Sequence, residues 1–182
     1  KPYETFSGFY GAVSTYGSFS YLKYGPLRLF SQLAQDSELK VGKIIWVVGH
    51  SGPETAEDSR THYGIFAPGV TQLFPNGSII NIHPWEYNEV APSLTAALKT
   101  DVPIIAIHLT RPSIVIPDRE KLGIANYKDS AKGAYIIKHY DKKESKKGIV
   151  IIRGTAPINS LMQILLSLKS KGPNIKIIAA VS

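Results

Sequence analysis

Six short apolar runs rich in β-branched residues punctuate the chain, at positions 43–49, 78–83, 102–110, 134–140, 148–153 and 175–181. Each is bounded by Gly, Pro or Asn, as expected of strands buried on both faces. Between them the apolar positions return at helical spacing. Residues 24–35 carry Leu27, Phe30 and Leu33–Ala34 in that pattern, and residues 86–98 set Val90, Leu94, Ala97 and Leu98 on one side. Residues 160–171 do the same with Leu161, Ile164, Leu165 and Leu168, with Ser160 as the expected cap and Gly172 as the stop. Strand alternating with helix predicts an α/β fold with a doubly wound, largely parallel sheet. Residues 112–132, with Pro112, Pro117 and Gly123, lack a clean period and read as a connecting segment. The apolar run at 148–153, then Gly154-Thr155 and a helix, opens a second α/β domain, so we divide the chain into residues 1–125 and 126–182.

Composition narrows the classes. Apolar content of 43% with 10% aromatic residues excludes wholesale disorder. The longest apolar runs are too short to span a bilayer, so no membrane association is expected. The chain opens on Lys1-Pro2-Tyr3-Glu4 with no basic-then-apolar leader, and reads as a fragment or a processed form. The absence of cysteine excludes disulfides, thiolate catalysis and cysteine-based zinc sites. Much of the net charge of +7 lies in residues 138–147, Lys-His-Tyr-Asp-Lys-Lys-Glu-Ser-Lys-Lys, which reads as a solvated loop between two strands. No stripe of interleaved aromatic and basic residues accompanies it, so nucleic acid is not expected as a partner.

The densest candidate chemistry follows the first run. Residues 43–49 lead into His50, a small-residue loop follows, and Glu57-Asp58-Ser59-Arg60-Thr61-His62 closes it. A histidine at the C-terminal end of such a strand stands where open α/β sheets bind ligands; the alternative is a structural histidine in a turn. Asp58 and His62 are spaced for a carboxylate to orient an imidazole, or equally for a helix cap beside a surface histidine. Arg111 follows another strand, where its fork of donors suits a phosphate or carboxylate, or a surface ion pair. His108 inside that strand reads as a core residue, and His83 before Pro84 as cleft-lining or turn-capping. His50, His62 and His83 could together hold zinc, although no short metal-ligand motif is present.

The segment from His50 to His62 resembles the active-site loop of transketolases, roughly a strand, T-H-D, a Gly-rich loop and G-E-D-G-P-T-H-Q. His50, Glu57, Asp58, Thr61 and His62 match that spacing without a gap. Weaker similarities extend along the chain. The stretch from Ser14 through Tyr24-Gly-Pro-Leu-Arg-Leu-Phe30 is similar to the family's passage from a helix into the cofactor-pyrimidine pocket. Pro75-Asn76 to Pro84 resembles its P-N-x-x-x-x-R-P strand, Leu109-Thr110-Arg111 its L-S-R, and Ile151 to Thr155 the I-A-T-G-S that opens its C-terminal domain.

This resemblance implies that residues 1–125 are an N-terminally incomplete pyrimidine-binding domain and residues 126–182 the start of the C-terminal domain. It implies thiamine diphosphate with magnesium or calcium as cofactors, sugar phosphates as substrates, and transfer of two-carbon ketol units in the pentose phosphate pathway. His50 and His62 would contact substrate and shuttle protons, Asp58 would recognise a donor hydroxyl and Arg111 a phosphate. Glu4 would supply the glutamate that activates the aminopyrimidine, unless that residue lies upstream, and Tyr24, Leu27 and Phe30 would surround the ring. The chain lacks the family's G-D-G…N motif for diphosphate and metal. It is therefore expected to be inactive alone and to need a homodimer or a complementary diphosphate-binding subunit or domain, in a cytoplasmic setting. Ser51, Ser59-Arg60 and Tyr63 replace the family's Asp, Gly-Pro and Gln. Those departures leave two alternatives: a non-catalytic, dimerising or regulatory subunit, and a related transfer of the phosphoketolase or 1-deoxyxylulose-phosphate synthase type.

Overall fold

The computed structural model describes residues 8–38, 41–49, 67–111 and 113–182. They fall into two compact units, Lys1–Ile82 with Ala97–Pro112, and His83–Ala96 with Ser113–Ser182.

The sheet of the first unit consists of β1 (Phe9–Tyr16), β2 (Gly42–Gly49), β3 (Ile79–Ile82) and β4 (Ile104–His108), all parallel, in the order β1-β2-β4-β3. Tyr16 pairs with Gly49, Val48 with His108 and Ile82 with Ile107, so the strands end together along one edge. The apolar run that predicted β4 is continuous because every residue of this strand is buried. The helix α1 (Ser20–Asp36) links β1 to β2 and contributes Leu27 to a core with Trp46, Val48, Phe74, Ile104 and Ala106. Within β2 and β4, alternate residues build that cluster, as the two-residue period of a strand requires. A short α2 (Ala67–Thr71) precedes β3, and α3 (Val90–Leu98) precedes β4.

Residues 9–16 form a strand that the apolar pattern missed, because β1 is an edge strand with Phe9 77% and Tyr10 66% exposed. The stretch from Ser14 is thus the end of β1 followed by a 3-10 turn over Gly17–Phe19, rather than a helix. The helix α1 also starts at Ser20, ahead of the expected residue 24, and encloses Pro26. Proline has no N–H to donate, and Pro26 lies at the seventh residue of this helix.

The second unit contains α4 (Arg119–Leu122), β5 (Ala134–Lys138), β6 (Gly148–Arg153), α5 (Thr155–Lys171) and β7 (Ile175–Ala180). Its sheet has the order β5-β7-β6, with β6 parallel and β5 antiparallel to β7. Ile158, Leu161 and Leu165 form the buried stripe of α5. That helix begins at Thr155 with Gly154 before it, so Ser160 is an interior position and not the cap; Gly172 ends it as expected. The segment read as a connection contains α4, capped by the Asp118 side chain, and a 3-10 stretch over Tyr127–Lys132.

A buried polar cluster anchors this unit. The Arg119 guanidinium donates to Glu86 Oε1 at 2.8 Å and to Glu89 Oε1 at 2.7 Å, with both carboxylates wholly buried. It also donates to the Ala125 carbonyl and lies 5.2 Å from the Trp85 ring centroid. The Tyr135 hydroxyl donates to Glu89 Oε1 and accepts from Trp85 Nε1. Burial raises the Glu89 pKa despite its bonds to Tyr135 and Arg119, and burial next to Glu89 raises that of Tyr135. Arg119 stays charged, because its bonds to Glu89 and Tyr135 outweigh the effect of burial.

Candidate functional site

The parallel sheet delivers its strand ends to one edge, and open α/β sheets bind ligands outside that edge. Gly49 ends β2 there, and His50 is the next residue. Glu4, His50, Asp58 and His62 lie outside the described residues. Arg111 is exposed, shortly past the end of β4.

What surrounds the end of β2 is polar and unsatisfied. Ser18 Oγ and Ser20 Oγ, just after β1, and Thr110 Oγ1, just after β4, are buried hydroxyls without a hydrogen-bond partner. Leaving a buried hydroxyl unpaired costs about 1–3 kcal/mol each, so three of them after neighbouring strand ends make this a candidate place for a polar ligand, although Trp46 Nε1 in the core is unpaired as well. β1 and β4 flank β2 directly. Beside these hydroxyls, the Tyr16 and Phe19 rings meet edge to face at 6.3 Å. His108 is buried and its Nε2 donates to Asn81 Oδ1 at 3.0 Å, which makes it a tethered core residue as the sequence indicated.

The three residues expected around a cofactor ring sit on the core side of α1. Leu27 is 4% exposed among Trp46, Val48 and Ile104. Tyr24 packs edge-on to Phe74 at 5.4 Å, and Phe30 is a partly buried neighbour of the same cluster. Sequence reasoning missed Tyr16, Phe19 and the orphan serines. The signal was the strand β1 itself, whose end sets them at the ligand edge.

These groups fit part of thiamine diphosphate: orphan hydroxyls and an aromatic pair suit a flat, polar heteroaromatic ring. They do not fit its metal, since no group of three or more His, Asp or Glu among the described residues is placed to hold one. A separate cavity of about 630 Å³ opens where β2 begins, lined by Glu38, Lys43, Asn76, Ser78, Lys99 and Asp101. It lies at the opposite end of the strands from the ligand edge.

The arrangement is that of an α/β unit with a parallel four-stranded sheet and a second α/β unit, and solved structures specify it further: the fold is transketolase-like. A transketolase from Campylobacter jejuni subsp. jejuni matches 93% of this chain with 18% identity and a TM-score of 0.64, over 24% of its own length. A transketolase variant from Pichia stipitis, solved with xylulose 5-phosphate, matches 93% with 21% identity and a TM-score of 0.68, over 22% of its length. The chain thus spans about a quarter of these enzymes. No family model and no curated protein matches it. Among the described residues no helix is long and apolar enough to cross a membrane.

Proposed function

We propose that this chain is the pyrimidine-binding portion and the start of the C-terminal domain of a transketolase-like transferase that moves ketol units between sugar phosphates. The observation that carries this reading is the ligand edge of the parallel sheet. There β2 ends between β1 and β4, each followed by orphan hydroxyls, in a fold shared with transketolases, and His50 is the next residue in the sequence. The pyrimidine-binding portion would comprise residues 1–125 and the start of the C-terminal domain residues 126–182.

When bound, thiamine diphosphate supplies the stabilised carbanion that carries the ketol unit. Ser18, Ser20 and Thr110 would hydrogen-bond its pyrimidine portion, with Tyr16 and Phe19 against the ring. Glu4, or a glutamate upstream, would hold a proton at the ring nitrogen. His50 and His62 would move protons at the substrate hydroxyls, Asp58 would orient the donor hydroxyl, and Arg111 would bind the phosphate. Core packing of Tyr24, Leu27 and Phe30 supports an indirect role for them, through the placement of α1. Diphosphate and magnesium or calcium would be held by a complementary domain or subunit, so the isolated chain is inactive. A dimeric, cytoplasmic assembly completes the proposal.

The test is an assay of ketol transfer from xylulose 5-phosphate with thiamine diphosphate and magnesium, on this chain assembled with its diphosphate-binding half. His50→Ala is expected to lower turnover by about 10²-fold or more, the usual worth of a positioned acid–base group. An assembled complex that neither turns over nor binds the cofactor would leave a non-catalytic subunit as the function.

A further inference from the structure

The second unit carries most of the chain's net charge of +7, and its basic loop is more than a solvated connection. Residues 139–147 join β5 to β6, and the buried Asn174 side chain holds them in place. It accepts from Asp141 N at 2.8 Å and donates to the carbonyls of Asp141 at 2.9 Å and Glu144 at 3.0 Å. Lys147 N donates to the Asn174 carbonyl, and the Tyr140 hydroxyl donates to the Gly148 carbonyl. Lys146 and Lys176 stand over the Tyr140 ring at 5.5 and 5.2 Å. Lys142, Lys143, Lys146 and Lys147 are exposed, and no ion pair among the described residues neutralises them. A loop that only needed to be soluble would gain nothing from being fixed in a shape that crowds like charges.

We propose that this loop, with Lys176, is a docking surface for the phosphate backbone of duplex nucleic acid. The inference is independent of the transferase reading. Its cations are all lysine, point charges that contact phosphate oxygens without the fixed bidentate geometry of an arginine fork. Duplex DNA presents one negative charge per about 1.7 Å, the dense array that a crowded lysine set matches. Residues 141–147 contain no large apolar side chain to enter a lipid surface. The sequence argued against nucleic acid because no aromatic platform accompanies the lysines. Such a platform serves stacking on unpaired bases, and contact with duplex phosphates does not use one.

The test is fluorescence anisotropy of a labelled 20-base-pair DNA duplex with the 182-residue chain at 50 and 200 mM NaCl. Four phosphate contacts give a slope near −3.6 in log affinity against log salt, so affinity is expected to fall about 100-fold across that range. Lys142→Gln/Lys143→Gln/Lys146→Gln/Lys147→Gln is expected to lose at least tenfold at 50 mM and to flatten the slope. Lys23→Gln/Lys99→Gln/Lys121→Gln/Lys128→Gln, with the same net charge, is expected to stay within about twofold. Equal losses in the two variants would reduce the effect to bulk charge and overturn the proposal. So would absence of binding at 50 mM, or binding to phosphatidylserine vesicles without binding to the duplex.

Discussion

Arg119→Met is the sharpest perturbation available in the second unit. The wild-type cluster sets one guanidinium against Glu86 and Glu89, which are 3% and 0% exposed. Methionine fills similar apolar volume but leaves two buried carboxylates without a cation. Removing one partner of a buried, hydrogen-bonded pair costs about 3–5 kcal/mol, against a total stability of about 5–15 kcal/mol for a domain. The variant is therefore expected to lose about a fifth or more of its stability, and Trp85, beneath the Arg119 guanidinium, makes intrinsic fluorescence in a urea titration a direct reporter. The pH dependence fixes the cause. Glu89 has its pKa raised in the folded state above the ordinary 4.5, so above that pH the native state holds the extra proton. Stability from this group is full at lower pH and is lost as pH rises through the folded pKa. Without Arg119 the folded pKa rises further, and the deficit at pH 8 is expected to exceed that at pH 5. Adding Glu86→Gln and Glu89→Gln to Arg119→Met should recover at least half the loss. A variant within about 1 kcal/mol of wild type at pH 7, or a deficit that ignores pH, would refute the reasoning.

Two further outcomes follow from the first unit. Gly42 has φ +89°, and a Cβ there would meet the backbone of Phe9, so Gly42→Ala is expected to cost about 3 kcal/mol or more and to deprotect β1 amides in hydrogen exchange. Gly11→Ala in the same strand opens onto free space and serves as the neutral control. Lys43, only 7% exposed, donates to the carbonyls of Thr100 and Val102 just past the end of α3. Lys43→Met is expected to cost about 2 kcal/mol through lost charge-assisted bonds, and an unchanged Tm would show that water replaces the ammonium.

Much of this protein was legible in its residues. The run that became β4 is apolar because every one of its residues is buried, and β2 and β7, inside their sheets, alternate buried with partly buried positions. β6 is an edge strand whose apolar residues are largely exposed, Ile149 at 57% and Ile151 at 70%, so its run did not report burial on both faces. The helices α1 and α5 showed themselves through apolar positions at helical spacing, of which Leu27 in α1 and Leu161 and Leu165 in α5 are buried while Leu33 and Ile164 are exposed. His50 could be placed at a strand end, because the end of an apolar run is a local fact. The tertiary structure alone decided the rest. β1 is a strand only because β2 offers its backbone groups, and an edge strand needs no apolar code. Leu27, Phe30 and Leu33 look alike in the periodicity, yet the packing of α1 buries Leu27, half-buries Phe30 against the same cluster and leaves Leu33 55% exposed. The orphan hydroxyls of Ser18, Ser20 and Thr110 are unremarkable polar residues until strand order sets them on either side of β2. Likewise the Arg119 cluster joins residues far apart in the chain, and Asn174 turns a run of lysines into a fixed surface. Burial and periodicity are local properties that a sequence carries. Pairing, charge compensation and the meeting of strand ends depend on partners distant along the chain, and only the fold supplies them.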